Sequence, residues 1–167
     1  MSRAKTALPV EIVETDPANI PRDLLLSADP SPEMVDSYLY RGRSFAAVLD
    51  GAMIGELVIV VTRPLTWEIM NVAVAEAWQR RGVAARLISH VLQMARDAKV
   101  RTVEIGTGTP GATQLILYQR LGFRVVGVDR DFFVRHYPKP IYENGIWCRD
   151  MLRLERRMDE DHLPGAL

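Results

Sequence analysis

The 167-residue sequence predicts a single α/β domain built on a mixed sheet with helices on both faces. Three observations lead there. The first half carries extended, β-rich runs separated by tight turns, and the second half alternates strand, helix, strand, helix, strand. Between them Val83, Leu87, Ile88, Val91, Leu92 and Ala95 recur at helical spacing, the apolar stripe of a helix lying on a sheet. The domain is expected to occupy residues 1–167, with its core at about 10–158.

The elements follow in order. "VEIVETD" (Val10–Asp16) reads as a first strand, then "PRDLLLSA" (Pro21–Ala28) and "SPEMVDSYLYRG" (Ser31–Gly42) as two short helices. Ser31 suits the N-cap of the second helix, with Pro32 at its first helical position. "SFAAVLD" (Ser44–Asp50) and "MIGELVIVVTR" (Met53–Arg63) flank "DGA", a hairpin signal. "WEIMNVAV" (Trp67–Val74) is the next strand, antiparallel to its predecessor if "PLT" is a hairpin. The striped helix begins at Val83. "TVEIG" (Thr102–Gly106) is a short buried strand, and "ATQLILYQRLG" (Ala112–Gly122) a helix stopped by its glycine. "FRVVGVDRDFFV" (Phe123–Val134) and "DMLRLERRM" (Asp150–Met158) are expected as strands, joined by a loop "RHYPKPIYENGIWC" that would serve as a lid or substrate wall. The tail beyond Met158 is polar and expected to be mobile.

Composition narrows the function classes. Hydrophobic residues make up 48% and charged residues 25%, ordinary for a globular chain. Lys and Arg number 21 against 21 Asp and Glu, so no global basic field points to nucleic acid or an anionic membrane. Cys148 is alone, which excludes an internal disulfide and supplies no metal-ligand cluster; no metal is expected. The opening "MSRAKTALPVEIVETD" holds no apolar leader-like stretch and no run approaches membrane-spanning length, so a cytoplasmic location is expected.

The start of the striped helix breaks two local rules. Arg80, Arg81 and Arg86 place positive charge where the helix dipole is already positive, and Gly82 stands where alanine would favour the helix by about 1 kcal/mol. An anion would resolve both: free N–H groups of the first turn, the dipole and the arginines would converge on phosphate oxygens, with Gly82 admitting a close approach. The plain alternative is a solvated first turn with arginines in water. The position after a strand, at the carboxyl edge of a sheet, favours the ligand.

"NVAVAEAWQRRGVAARLI" resembles the acyl-CoA signature of the GNAT superfamily of N-acetyltransferases, an apolar strand end followed by Q/R-x-x-G-x-G/A opening a long helix. Here the motif reads Gln79, Arg80, Arg81, Gly82, Val83, Ala84. "LYQRLGFRVVG" is similar to the superfamily's tyrosine element before Gly-Phe, and "DFFVRHYPKPIYENGIWCRDMLRL" resembles a bacterial subgroup of it. The resemblance runs from about Val10 to Met158. It implies a mostly antiparallel GNAT-like sheet and direct transfer of acetyl from acetyl-CoA to a primary amine.

The roles the resemblance implies are these. Backbone groups of Val72 and Val74 would pair with the pantetheine arm, and N–H groups around Arg81–Ala84 would hold the pyrophosphate. A backbone N–H near Ala73 or Val74 would be the oxyanion donor. Tyr118 would protonate the departing thiolate; the alternative is an aromatic packed on the core face of its helix. Glu104 or Glu68 would be the base, unless the amine arrives already neutral. Many superfamily members carry an Asn where this chain has "GTGTPGATQ", so Thr113, Gln114 or backbone groups would make that contact. The acceptor stays open among polyamines, amino acids, aminoglycosides and a protein N-terminus. A homodimer through the late strands is possible by the same resemblance. A non-catalytic acyl-CoA-binding or sensor module on this fold is the second hypothesis.

A rival motif is present. Gly106, Gly108 and Gly111 in "GTGTPG" spell G-x-G-x-x-G, with Asp129 at about the distance of a ribose-binding acid, a dinucleotide-binding oxidoreductase fingerprint. Too little chain follows for the repeated βαβ units of that fold, and Pro110 removes a donor from the phosphate cradle. Among other residues, His136 and Tyr137 would contact substrate or sit solvated, His90 would lie at the surface, and Asp131 and Asp150 would bind a cationic amine or build turns. Cys148 has no neighbour that would activate it. Trp67, Trp78 and Trp147 read as packing.

Overall fold

The structure, a computed structural model, describes residues 8–160; the end of the expected tail lies outside them. Among the described residues nine strands and five α-helices follow one another. The strands are β1 (Glu11–Thr15), β2 (Arg43–Leu49), β3 (Ala52–Arg63), β4 (Thr66–Val74), β5 (Thr102–Gly108), β6 (Arg124–Asp129), β7 (Ile141–Glu143), β8 (Ile146–Cys148) and β9 (Met151–Arg157). The helices are α1 (Arg22–Ala28), α2 (Pro32–Tyr38), α3 (Val83–Asp97), α4 (Ala112–Arg120) and α5 (Phe132–His136). Seven strands share one sheet in the order β1-β2-β3-β4-β5-β9-β6, and β7 and β8 form a small hairpin of their own. β4 and β5 run parallel, while β1–β2, β5–β9 and β6–β9 are antiparallel. The two-residue links β2–β3 and β3–β4 allow only antiparallel neighbours. The sheet is therefore mixed and mostly antiparallel.

The chain forms two compact units, one of residues up to Val58 with Asn71–Ile88, the other of Ile59–Met70 with Ser89 onward. In the first, Asp50 and Gly51 take positive φ (50° and 79°), the two-residue turn that the twist of a hairpin prefers. Ser31 caps α2 as expected, its hydroxyl accepting from the Met34 N–H at 3.2 Å. The core of this unit is Leu25, Val35, Phe45, Ala47, Leu57 and Val58, each at most 1% exposed.

The second unit is organised by β9, which lies between β5 and β6. Register pairs Glu104 with Glu155, Gly106 with Arg153 and Gly108 with Met151 on one side, and Gly127 with Arg153 on the other, with a bulge at Val126. Two expectations fail here. The strand expected to run to Val134 ends at Asp129, and "FFVRH" turns into α5. Asp131 explains the break: it sits in the left-handed region (φ 57°), and its N–H donates to Asp150 Oδ1 at 2.7 Å. The expected loop, for its part, contains the β7–β8 hairpin.

Candidate active site

In the first unit the site is prepared by the end of β4 and the start of α3. Ala75 N–H donates to Ile54 O at 2.9 Å, so the backbone groups of Ala75, and by strand alternation those of Ala73, face β3. Those of Val72 and Val74 face the opposite edge, where Val74 O already accepts from the Gln79 side chain at 3.0 Å. Of the two expected oxyanion donors, Val74 rather than Ala73 turns its N–H to that edge. The parallel ladder of β4 with β5 runs from Thr66–Thr102 to Ile69–Ile105, short of Val72 and Val74.

The segment from Gln79 to Gly82 is exposed. Arg80 and Gly82 both take positive φ (57° and 82°), and α3 has no acidic residue in its first turn. Alternation of backbone handedness turns successive N–H groups toward one concavity, a shape suited to anions. A Cβ at Gly82 would meet no protein atom within 4 Å. Gly82 is thus required for its backbone conformation, and the space beside it is open. These features fit a pyrophosphate. The arginines do not all converge as expected, however. Arg86 instead ties its guanidinium to Leu8 O and Val10 O, and Arg81 lies over the Trp78 ring at 5.1 Å.

In the second unit a cavity of about 300 Å³ is lined by Arg63, Glu68, Glu104, Ile105, Val126, Arg153 and Leu154. Both expected base candidates therefore face one cavity, as their direct register pairing dictates. Burial pushes the Glu68 carboxyl up; Arg153 pulls it down, Glu104 pushes it up again, and Arg63 opposes. Arg153 Nη1 donates to Glu68 at 3.2 Å, and Arg63 is ion-paired with Glu104. Tyr118 on α4 is 5% exposed with its ring 6.2 Å from Phe123; burial first and the charge of Glu143 second raise its hydroxyl to about 12. Thr113 and Gln114 lie exposed in the first turn of α4, Gln114 donating to Glu143 at 3.3 Å.

The remaining expectations sort by contact. Asp131 and Asp150 build a turn, with Arg149 on Asp131 at 2.7 Å. His136 and Tyr137 join an aromatic group with Phe132 and Phe133. Trp67 is buried, but Trp147 is 42% exposed and carries Arg149 over its ring at 4.8 Å, so it is no core residue. The Cys148 thiol is buried and raised to about 11 by burial and neighbouring carboxylates. The glycines of "GTGTPG" admit neighbours instead of a phosphate: a Cβ at Gly106 would lie 2.6 Å from Met151 Sδ, and one at Gly108 would lie 2.4 Å from Cys148 Sγ. Sequence reasoning missed Arg63 and Arg153 in the cavity, and also Glu56, fully buried in β3. A lone carboxylate inside "IGELVIVV" was the available signal for the last.

No group of His, Cys, Asp and Glu suited to a metal ion occurs among the described residues. None of their helices is long and apolar enough to cross a membrane.

Residues 17–123 match the Acetyltransferase (GNAT) family. The chain is 48% identical over 132 residues to the uncharacterized N-acetyltransferase YvbK of Bacillus subtilis, covering 79% of this chain and 85% of that protein. Among solved structures, the IAA acetyltransferase from Bacillus cereus superposes with a TM-score of 0.85 at 43% identity, over 89% of this chain and 99% of the other. A GNAT family acetyltransferase from Elizabethkingia anophelis with acetyl-CoA bound gives the same TM-score at 40% identity, over 89% and 97%.

Proposed function

The chain belongs to the GNAT acetyltransferase family, and from that premise we propose that it transfers the acetyl group of acetyl-CoA directly to a primary amine, with Glu68 as base and Tyr118 as acid. The observation that carries the assignment is the pairing of Glu68 with Glu104 at one small, partly buried cavity. Acetyl-CoA is the donor substrate. Val72 and the Val74 N–H offer it a backbone edge, Val74 O being held by the Gln79 side chain, and the 80–84 turn offers N–H groups for its pyrophosphate.

An acceptor amine is cationic in water and must lose a proton before its lone pair can attack. Glu68 suits that task because burial raises its proton affinity above that of a free carboxylate. Both carboxylates hold an arginine, Glu104 on Arg63 and Glu68 on Arg153; Glu104 is the partner whose charge pushes Glu68 up, and it orients the amine. As the new N–C bond forms, the C–S bond breaks and its electron pair passes to sulfur. Tyr118 holds its proton throughout the physiological range and supplies it there, and the second proton, shed by the nitrogen as it becomes an amide, restores the phenol.

The test is thiol release from acetyl-CoA with a panel of primary amines, on wild type, Glu68→Gln and Glu104→Gln. Glu68→Gln is expected to lower kcat by roughly 10²-fold or more near neutrality, and Glu104→Gln by less. If Glu104→Gln is the more damaging, the base assignment is reversed. Acetyl-CoA binding without thiol release from any amine would make the chain an acyl-CoA sensor instead.

A further inference from the structure

We propose that the acceptor is a small amino acid-like zwitterion with an apolar side chain, its carboxylate on Arg153 and its amine at Glu68. The inference rests on the acetyltransferase reading of this cavity and narrows its substrate.

Size and charge both select. A volume of about 300 Å³ sits at the lower end of small-molecule sites. Its charged lining is two guanidiniums, Arg63 and Arg153, against two carboxylates, Glu68 and Glu104. Next to it Asp129 is matched by Arg135 at 2.5 Å. A polyamine would bring several positive charges to this balanced lining, and a multiply charged anion would meet two carboxylates. A ligand with one charge of each sign, held a few atoms apart, meets an opposite partner at both ends.

Arg153 is the group built for the negative end. Its Nη1 touches Glu68 at 3.2 Å and its Nη2 touches Asp129 at 3.4 Å, both single contacts longer than a good charge-assisted bond. Its guanidinium lies over the Phe132 ring at 5.3 Å, which fixes its plane. The strand positions flanking it are Gly106 and Gly127: Met151 fills the place beside Gly106, but a Cβ at Gly127 would meet nothing within 4 Å. Space therefore remains on the Gly127 side of a guanidinium whose two nitrogens each hold one long contact and no two-pronged partner. A ligand carboxylate can take that fork and release Glu68 from it, leaving Glu68 to accept the ammonium proton. The bulge at Val126 adds the one aliphatic lining residue that is exposed, a flank for a small aliphatic group; Ile105 and Leu154, paired with each other and buried, turn their side chains to the opposite face of the sheet.

The experiment compares kcat/KM for L-leucine, L-leucinamide, 3-methylbutylamine and spermidine at saturating acetyl-CoA, with full-length protein. L-Leucine is expected to exceed each of the others by about tenfold or more. In Arg153→Gln the leucine-to-leucinamide ratio should fall toward one, and Arg153→Lys should recover part of it. A merely structural Arg153 would lower all rates without moving that ratio. Leucinamide, 3-methylbutylamine or spermidine used as well as leucine overturns the proposal, as does a ratio unchanged in Arg153→Gln. If the variants do not fold, the wild-type ratios alone decide. Failure to acetylate leucine, in a protein that acetyl-CoA does stabilise against heat, overturns only the substrate class. Absence of that stabilisation overturns the reading beneath it.

Discussion

Glu56 is 0% exposed and neither of its carboxylate oxygens has a hydrogen-bond partner. Burial raises it to about 8, and the nearby Ala73 N–H only tempers the effect. A folded pKa above the unfolded one means that the native state holds the extra proton. Stability is then fully present below the ordinary carboxyl range, about 4.5, and is lost as pH rises through about 8. Glu56→Gln removes that proton dependence. Urea midpoints near pH 5 and near pH 9 should fall steeply for wild type and more gently for the variant; parallel declines would show that Glu56 is ionised in the fold or relieved by water. Tyr118 makes the contrasting case, a buried acid whose proton is useful. Tyr118→Phe keeps the ring against Phe123 and should lower kcat by roughly 10²-fold or more with little change in KM for acetyl-CoA. An unchanged kcat would leave Tyr118 as a packing residue.

The turn from Gln79 into α3 concentrates its requirements in backbone shape, so the decisive variants are at Gly82. Gly82→Ala adds a methyl that meets no protein atom but penalises φ 82°, whereas Gly82→Asp adds negative charge at the same point. The alanine variant should bind acetyl-CoA more weakly and the aspartate variant should not bind it detectably, as isothermal titration would read. Near-equal affinities would mean that no phosphate sits at this turn. The start of α3 at Val83 was legible from the apolar stripe that begins there. The helices and most strands were legible from period and turn chemistry. The α5 segment was not: "FFV" has the composition of a strand, and only the Asp131–Asp150 contact, distant in sequence, ends β6 early. The β7–β8 hairpin did carry a local signal, Asn144–Gly145 at positive φ, which the prolines around it obscured. Arg153 and Arg63 could not be assigned to the cavity from sequence, since alternation gives a strand residue a face but never says which strands flank it. The order β5-β9-β6 supplies that neighbourhood.

For the molecule as a whole, the features proposed to bind the donor exist only in the folded chain. The backbone edge of Val72 and Val74 depends on β4 being aligned with β3, and the positive φ of Arg80 and Gly82 is held between a strand and a helix. The unfolded ensemble offers acetyl-CoA neither, so binding must shift the folding equilibrium. At about a hundred times its dissociation constant the shift is about 2.7 kcal/mol. For a chain of this length that corresponds to a rise in Tm of about 5–10 °C. NAD at the same concentration should give no rise, because Met151 and Cys148 fill the places beside Gly106 and Gly108 that a dinucleotide would need. A thermal scan with acetyl-CoA, CoA and NAD in parallel tests both halves. CoA should stabilise nearly as well as acetyl-CoA, since the pyrophosphate and pantetheine determinants are common to both. A rise with NAD alone would return function to the glycine-rich loop, whereas a rise with acetyl-CoA but none with CoA would place the main determinants at the acetyl group.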